Sequence, residues 1–332
     1  MASAYIDAVI CRIVEDETRM ADRKTKIIYI VGCSRSGSTI LDSILGSHDD
    51  VIGLGELEKV HEAGWCGEDY CGCGERVRDC EFWTAVHDRW TGETSADSQR
   101  YMELQGRYTR VRQLPRVVAV SRRAAGPFGT YSRLTVALYE AVLREAGTRT
   151  LVDSSKNPVR ALALSRMPGV DLRLIHLVRD PRGVAASLMK AWKRDPRAGI
   201  QHDIAALGVN QVAKGWSLVT RLSDWILRRS PPENVVRLRY EDFLADPGAS
   251  LSAIGRAADL DMSSVADQVI SGDPIHIGHT VAGNRLRMQQ AVALRKKDDW
   301  ERSIDPEVRS VIERRCRRGM SRYGYAPGEG GD

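Results

Sequence analysis

The stretch Lys26–Gly46, KIIYIVGCSRSGSTILDSILG, constrains this chain more than any other. Ile27, Ile28, Ile30 and Val31 flank Tyr29 in a short β-branched run without polar alternation, as expected of a parallel strand buried on both faces. The run ends at Gly32. The segment Gly32-Cys33-Ser34-Arg35-Ser36-Gly37-Ser38-Thr39 has the two-glycine spacing of a phosphate loop. In such a loop, successive backbone N–H groups converge on one concavity at a helix N-terminus and hold an anion. Ile40, Leu41, Ile44 and Leu45 recur at helical spacing, so a helix is predicted over 38–46 with Gly46 as its stop.

In the Walker A version of this loop a Lys follows the second glycine and reaches the β- and γ-phosphates. Here Ser38 stands at that position and Arg35 is the loop's one cation. Such a loop is poorly equipped for a γ-phosphate. The string SRSGST instead resembles the 5′-phosphosulfate loop of sulfotransferases that use 3′-phosphoadenosine 5′-phosphosulfate (PAPS), in particular the carbohydrate and tyrosyl-protein branches and their bacterial relatives. An ordinary Gly/Ser turn is the plain alternative for this segment alone. The resemblance implies a P-loop-like α/β fold with a mostly parallel central sheet flanked by helices, and a donor site built from Cys33, Ser34, Arg35, Ser36, Gly37, Ser38 and Thr39.

A second motif agrees with the first. In Leu172–Ser187 a strand through Val178 presents Arg179 at its end, Asp180 can cap, Pro181 suits the first helical turn, and Ser187 falls about two turns inside. The resembling family places an Arg and a Ser at this spacing on the 3′-phosphate, which implies that role for Arg179 and Ser187. Another buried run, Thr150–Asp153, leads into Ser154-Ser155-Lys156-Asn157, with Pro158 opening a helix through Leu164. DSSK resembles the family position of a Lys on the phosphosulfate bridge, and a surface turn lysine is the alternative. Near the end, His279–Arg287 followed by Asp299-Trp300 resembles the loop that closes over the nucleotide. That likeness implies contacts from Gly283, Asn284 and either Arg285 or Arg287, and the two arginines stay equal candidates.

Between these motifs, Val51–Leu54 reads as a short strand expected to run beside the first and to deliver Gly55-Glu56 at its C-terminal end, where open α/β sheets bind ligands. The resemblance implies that Glu56 is the general base, with His48, Glu58 and His61 as rivals. Together with Arg35 and Lys156 it forms the expected catalytic group. A polar helix over Asp97–Leu114 and an apolar-striped one over Thr130–Glu145 suggest a helical layer from about Trp83 to Gly147, placed as a cap over an acceptor pocket. Asp203–Arg229 reads as a helix, and Asn234–Asp242 as a strand followed by a helix from Pro247.

Length and charge bound the remainder. The 332 residues, 42% hydrophobic and 28% charged, suffice for one main domain over 26–325, with the Cys-containing loop and cap inserted at about 60–147. A short amphipathic helix over Tyr5–Met20 within 1–25 and a Gly-rich tail over 326–332 flank it. Lys supplies nine of the 49 basic residues and Arg the other 40, yet no basic run reads as a nucleic-acid surface. No signal peptide or stretch of 18 apolar residues is visible, so a cytoplasmic protein without membrane contact is expected. Nothing specifies an oligomeric state, and a homo-oligomer is compatible with the sequence.

Four of the seven cysteines cluster as Cys66-x4-Cys71-x-Cys73-x6-Cys80, which is not the paired C-x2-C spacing of zinc ribbons. Reduced structural cysteines are expected, zinc and a local disulfide being the alternatives. A similar run occurs in bacterial members of the resembling family. The implied function is PAPS-dependent sulfuryl transfer to a hydroxyl of a small molecule, sugar or natural product, yielding 3′-phosphoadenosine 5′-phosphate (PAP) and requiring no metal. The alternatives are a nucleotide kinase or NTPase, disfavoured by Ser38, and a non-catalytic phospho-nucleotide-binding protein, which has no need for Glu56.

Overall fold

A computed structural model describes residues 24–120, 125–195, 200, 202–294, 299–302 and 304–325. The expected helix over Tyr5–Met20 and the tail 326–332 lie outside the described residues. The first strand, β1 (Thr25–Gly32), is the middle of a five-stranded, all-parallel sheet. From it the chain passes through the phosphate loop into α1 (Ser38–Leu45), then β2 (Val51–Gly53). The insertion contributes α2 (Glu81–Thr94), α3 (Ser98–Gly106), α4 (Leu114–Ala119) and α5 (Gly126–Ala146). There follow β3 (Thr150–Lys156), α6 (Pro158–Leu164), β4 (Val170–Val178) and α7 (Pro181–Leu188). The rest comprises α8 (Val209–Leu227), β5 (Val235–Arg239), α9 (Tyr240–Ala245), α10 (Pro247–Ala258), α11 (Ser263–Ser271), a separate antiparallel pair of two-residue strands, β6 (Ile275–His276) and β7 (Ala291–Val292), and α12 (Pro306–Arg322).

The strand order is β2-β3-β1-β4-β5. The expectation that the 51–54 strand runs beside the first is therefore corrected: β3 lies between them, pairing Lys26 with Thr150 on one side and Val51 with Thr150 on the other. Because all strands are parallel, β2 still ends on the same edge as β1. Side chains of β1 alternate between two cores. Ile27, Tyr29 and Val31 pack with Trp83, Trp90 and Leu138 of the insertion, while Ile28 and Ile30 pack with Leu41, Ile44, Ile175 and Phe243. Burial on both faces explains the unbroken apolar run.

Local chemistry sets the helix boundaries. Asn157 caps α6 by accepting from the Val159 N–H at 3.0 Å, Asp180 caps α7 through the Arg182 N–H at 2.8 Å, and Asp97 caps α3 through the Arg100 N–H at 2.7 Å. The predicted helix over Asp97–Leu114 is two elements, since α3 ends at Gly106 and a separate short turn leads into α4. The helix expected from Asp203 begins at Val209, and Tyr240-Glu241-Asp242 opens α9 rather than ending β5. Among the described residues, no helix is long and apolar enough to cross a membrane.

Candidate active site

The C-terminal ends of β1, β2, β3 and β4 bring the motif residues to one edge of the sheet. The phosphate loop leaves β1 with Arg35 at φ 66° and Gly37 at φ 89°, both left-handed. Gly37 is required there, because a Cβ would lie 2.4 Å from the Tyr240 ring. Gly37 precedes the first residue of α1, so the first turn's N–H groups face the loop. The Ser36 hydroxyl is buried without a hydrogen-bond partner among the described residues. An unpaired buried hydroxyl beside a helix N-terminus is chemistry that fits a bound phosphate. Cys33 is also buried, and desolvation pushes its thiol up to about 12, which keeps it neutral.

Lys156 reaches the same edge through an irregularity in the β1–β3 ladder. Tyr29 pairs with Asp153 but Val31 pairs with Lys156, so β3 contains one extra residue over that interval. Such a bulge re-aims the side chain that follows it. Lys156 has φ 66°, and its Nζ donates to Glu56 Oε1 at 2.5 Å and to the Ser154 carbonyl at 3.1 Å. Glu56 itself follows Gly55, whose φ of 76° and close approach to the Val281 carbonyl exclude a side chain. Both oxygens of Asp42 on α1 accept from the Gly55 N–H, at 3.2 and 3.1 Å. Asp42 was not anticipated. Its signal was a lone acid on the inward face of a helix otherwise striped with Leu41, Ile44 and Leu45.

The rivals to Glu56 are committed elsewhere. His48 accepts from the Asp50 N–H and meets the Asp261 carbonyl. His61 is fully buried among Trp65, Trp90 and Tyr101, 3.0 Å from the Ser98 hydroxyl, and burial drives its pKa well below the ordinary value. Glu58 accepts two bonds from the Asn157 amide, at 3.0 and 3.1 Å, and burial raises its pKa.

The Arg179 motif meets the loop after β1 directly. Arg179 Nη1 donates to the Arg35 carbonyl at 2.6 Å, and its guanidinium lies 4.9 Å from the Tyr240 ring centroid. Ser187 is half-buried near the end of α7. The loop over 281–287 closes the third side: the Asn284 N–H donates to Thr39 Oγ1 at 3.3 Å, and Glu56 N donates to the Val281 carbonyl at 2.9 Å. The two arginines of this loop differ. Arg285 is exposed, over the Trp192 ring at 4.6 Å, and with burial it lowers the Arg35 pKa while Glu56 opposes the shift. Arg287 is buried, donating to the Gly283 carbonyl at 3.3 Å with Asp69 at 4.0 Å.

Beside this cluster lies a cleft of about 770 Å³ bounded by Cys33, Lys156, Glu62, Gln105, Arg110 and Trp216. Gln105 belongs to α3 and Trp216 to α8, so insertion and body each supply a wall. A loop of phosphate-loop form without the Walker Lys thus stands at the C-terminal edge of the parallel sheet of a P-loop-like fold, beside a Glu–Lys pair and an open cleft. The chain belongs to the sulfotransferase family, whose model matches residues 28–264. It is 27% identical to human carbohydrate sulfotransferase 2 over 203 residues, and 26% identical to the mouse protein, spanning 49% of this chain and 36% of each relative. The chain thus spans about a third of the length of these curated relatives. Among solved structures, the sulfotransferase domain from the curacin biosynthetic pathway aligns over 92% of this chain and 99% of its own, with a TM-score of 0.51 and 17% identity, which is a likeness of fold.

Proposed function

We propose that the protein transfers a sulfuryl group from PAPS to a hydroxyl, leaving PAP. The observation behind this reading is the convergence of Arg35, Lys156 and Glu56 at the end of a phosphate loop whose Walker position is Ser38, with Arg179 hydrogen-bonded to that loop. In this reading the loop N–H groups and Ser36, Ser38 and Thr39 hold the 5′-phosphate. Arg179 and Ser187 take the 3′-phosphate, and Gly283, Asn284 and the exposed Arg285 cover the nucleotide. Arg287 instead supports the Gly283 carbonyl from beneath.

When bound, PAPS supplies an activated sulfur whose bond to the 5′-phosphate oxygen breaks as the acceptor oxygen attacks in line. Glu56 accepts the hydroxyl proton. Lys156 and Arg35 stabilise negative charge on the departing phosphate. The Lys156–Glu56 ion pair orients both groups at the reacting edge. The cleft beside Lys156 is the proposed acceptor site. Its wall of Glu62, Gln105 and Arg110 suits a polar, hydroxyl-rich acceptor such as a sugar. The carbohydrate sulfotransferases it resembles are consistent with that class.

Calorimetry of 3′,5′-ADP against 5′-AMP tests the donor. A charge-assisted contact from Arg179 to the 3′-phosphate is worth about 1.5 to 3 kcal/mol, so 3′,5′-ADP should bind at least about tenfold more tightly. Equal affinity, or tighter ATP binding, would favour the kinase reading. Mass spectrometry of hydroxylated acceptors incubated with PAPS should then show one added sulfuryl group.

A further inference from the structure

We propose that Cys71, Cys73, Cys80 and His279 form a structural zinc site that ties the Cys-containing insertion to the loop leading onto the nucleotide edge. One ligand atom from each of the four lies within 4.8 Å of the others. Cys73 Sγ is 3.6 Å from Cys80 Sγ, and His279 Nδ1 is 3.3 Å from Cys80 Sγ and 3.7 Å from Cys71 Sγ. Tetrahedral zinc with Zn–S near 2.3 Å and Zn–N near 2.0–2.1 Å places sulfurs about 3.8 Å apart and sulfur and nitrogen about 3.5 Å apart. The observed spacings match that figure. They are far from the roughly 2.05 Å of a disulfide, and all the described cysteines are free.

The surroundings hold each ligand in place. Cys71 and Cys73 flank Gly72 in a tight turn closed by Gly74 N donating to the Cys71 carbonyl at 3.0 Å. Gly72 is needed there, because a Cβ would meet the Gly278 carbonyl at 2.5 Å, one residue before the histidine ligand. Cys80 precedes the first turn of α2. The His279 ring stacks on Phe82, with centroids 4.6 Å apart and planes 8° from parallel, and its carbonyl accepts from Trp83 Nε1 at 2.9 Å. Three thiolates, one neutral imidazole and Zn²⁺ sum to a single negative charge. The buried Arg287 guanidinium lies within electrostatic reach of Cys71 and complements that charge.

Four protein ligands leave no position for water or substrate, so the site would stabilise the fold rather than take part in chemistry. Three thiols release their protons on coordination. The expectation of no metal rested on the local cysteine spacing, on reduced cysteines as the default and on a transfer scheme that needs none. The fourth ligand stands 199 residues beyond Cys80 in the chain, where a local spacing rule does not look.

The test is independent of donor and acceptor. Full-length protein is made with zinc in the medium, purified under reductant and dialysed against a chelator; its metal is then counted and its zinc-edge X-ray absorption recorded. We expect about one zinc per chain, with three sulfurs near 2.3 Å and one nitrogen near 2.0–2.1 Å. Cys73→Ser, at an exposed ligand, should lose most of the metal, His279→Cys should keep it with four sulfurs, and Cys66→Ser, outside the cluster, should be unaffected. Metal-free parent protein would overturn the proposal. So would an oxygen-dominated shell, a metal other than zinc, a disulfide seen in the intact mass, or zinc retained equally by Cys73→Ser and His279→Ala.

Discussion

Among the described residues, three of the five non-glycine residues with positive φ lie at the proposed reacting edge: Arg35 at 66°, Lys156 at 66° and Ala282 at 55°. Each such conformation costs about 1 to 3 kcal/mol and persists only where surrounding contacts over-determine it. At Lys156 those contacts are the bulge behind it and the Glu56 carboxylate in front. If the roles proposed above hold, Glu56→Gln keeps shape and removes basicity; it should lower kcat by about 10² to 10⁴ while 3′,5′-ADP affinity stays nearly unchanged. Lys156→Met removes a donor to the leaving phosphate and should lower kcat by about 10² to 10³. Steady-state kinetics with calorimetry separates these from folding defects. Retention of most turnover by Glu56→Gln would move the base to one of the carboxylates that line the cleft, Glu58 or Glu62. The place of Glu56 at the sheet's C-terminal edge was legible in the sequence because the short apolar run Val51–Leu54 leads into Gly55. The bulge that aims Lys156 was not, since it is a mismatch between two strands more than 100 residues apart.

At the scale of elements, the helices announced themselves through their caps, with Asn157-Pro158 and Asp180-Pro181 marking the starts of α6 and α7. Strand order was illegible, because neither β2, of three residues, nor β3, of seven, carries a local signal of its neighbour, and only long-range pairing places β3 next to β1. The same packing hides Asp42, which couples α1 to the Gly55 turn. Desolvation raises its carboxyl from 3.8 to about 7, even though bonds from Ser154 and the Gly55 N–H favour the ionised form. Between those values the folded state holds a proton that the unfolded chain has released. This group's contribution to stability therefore falls as pH rises from about 4 to about 7 and is lowest above that. Asp42→Asn keeps an acceptor for the Gly55 N–H and cannot ionise. Denaturant unfolding at pH 5 and pH 8 should show the parent losing about 2 to 3 kcal/mol more than the variant over that interval. Parallel pH profiles would mean that Asp42 ionises in the folded state near its ordinary value.

Across the whole molecule, the proposed nucleotide site is assembled from segments remote in sequence: the loop after β1, the Arg179 corner after β4, and the 281–287 loop. They are held by contacts that do not involve nucleotide. Arg182 on α7 bonds Asp180 and Glu313 of α12, Tyr325 donates to Glu241 at 2.7 Å, and Glu241 accepts from the Asp180 N–H at 2.9 Å. A ligand that contacts all three segments binds the folded chain and not the unfolded one, so it stabilises by RT ln(1 + [L]/Kd), about 2.7 kcal/mol at a hundred times Kd. Unfolding entropy scales with length at about 2.1 cal/mol/K per residue, which for a chain of 332 residues converts that energy to a rise in Tm of about 4 °C. Thermal unfolding with 3′,5′-ADP should show this shift, and Arg179→Ala at the same nucleotide concentration should shrink it. Because Arg179 also donates to the Arg35 carbonyl, the variant's Tm without nucleotide is the reference for its own shift. An equal rise in parent and variant would place the 3′-phosphate away from Arg179, and a rise with ATP but none with 3′,5′-ADP would count against the PAPS reading altogether.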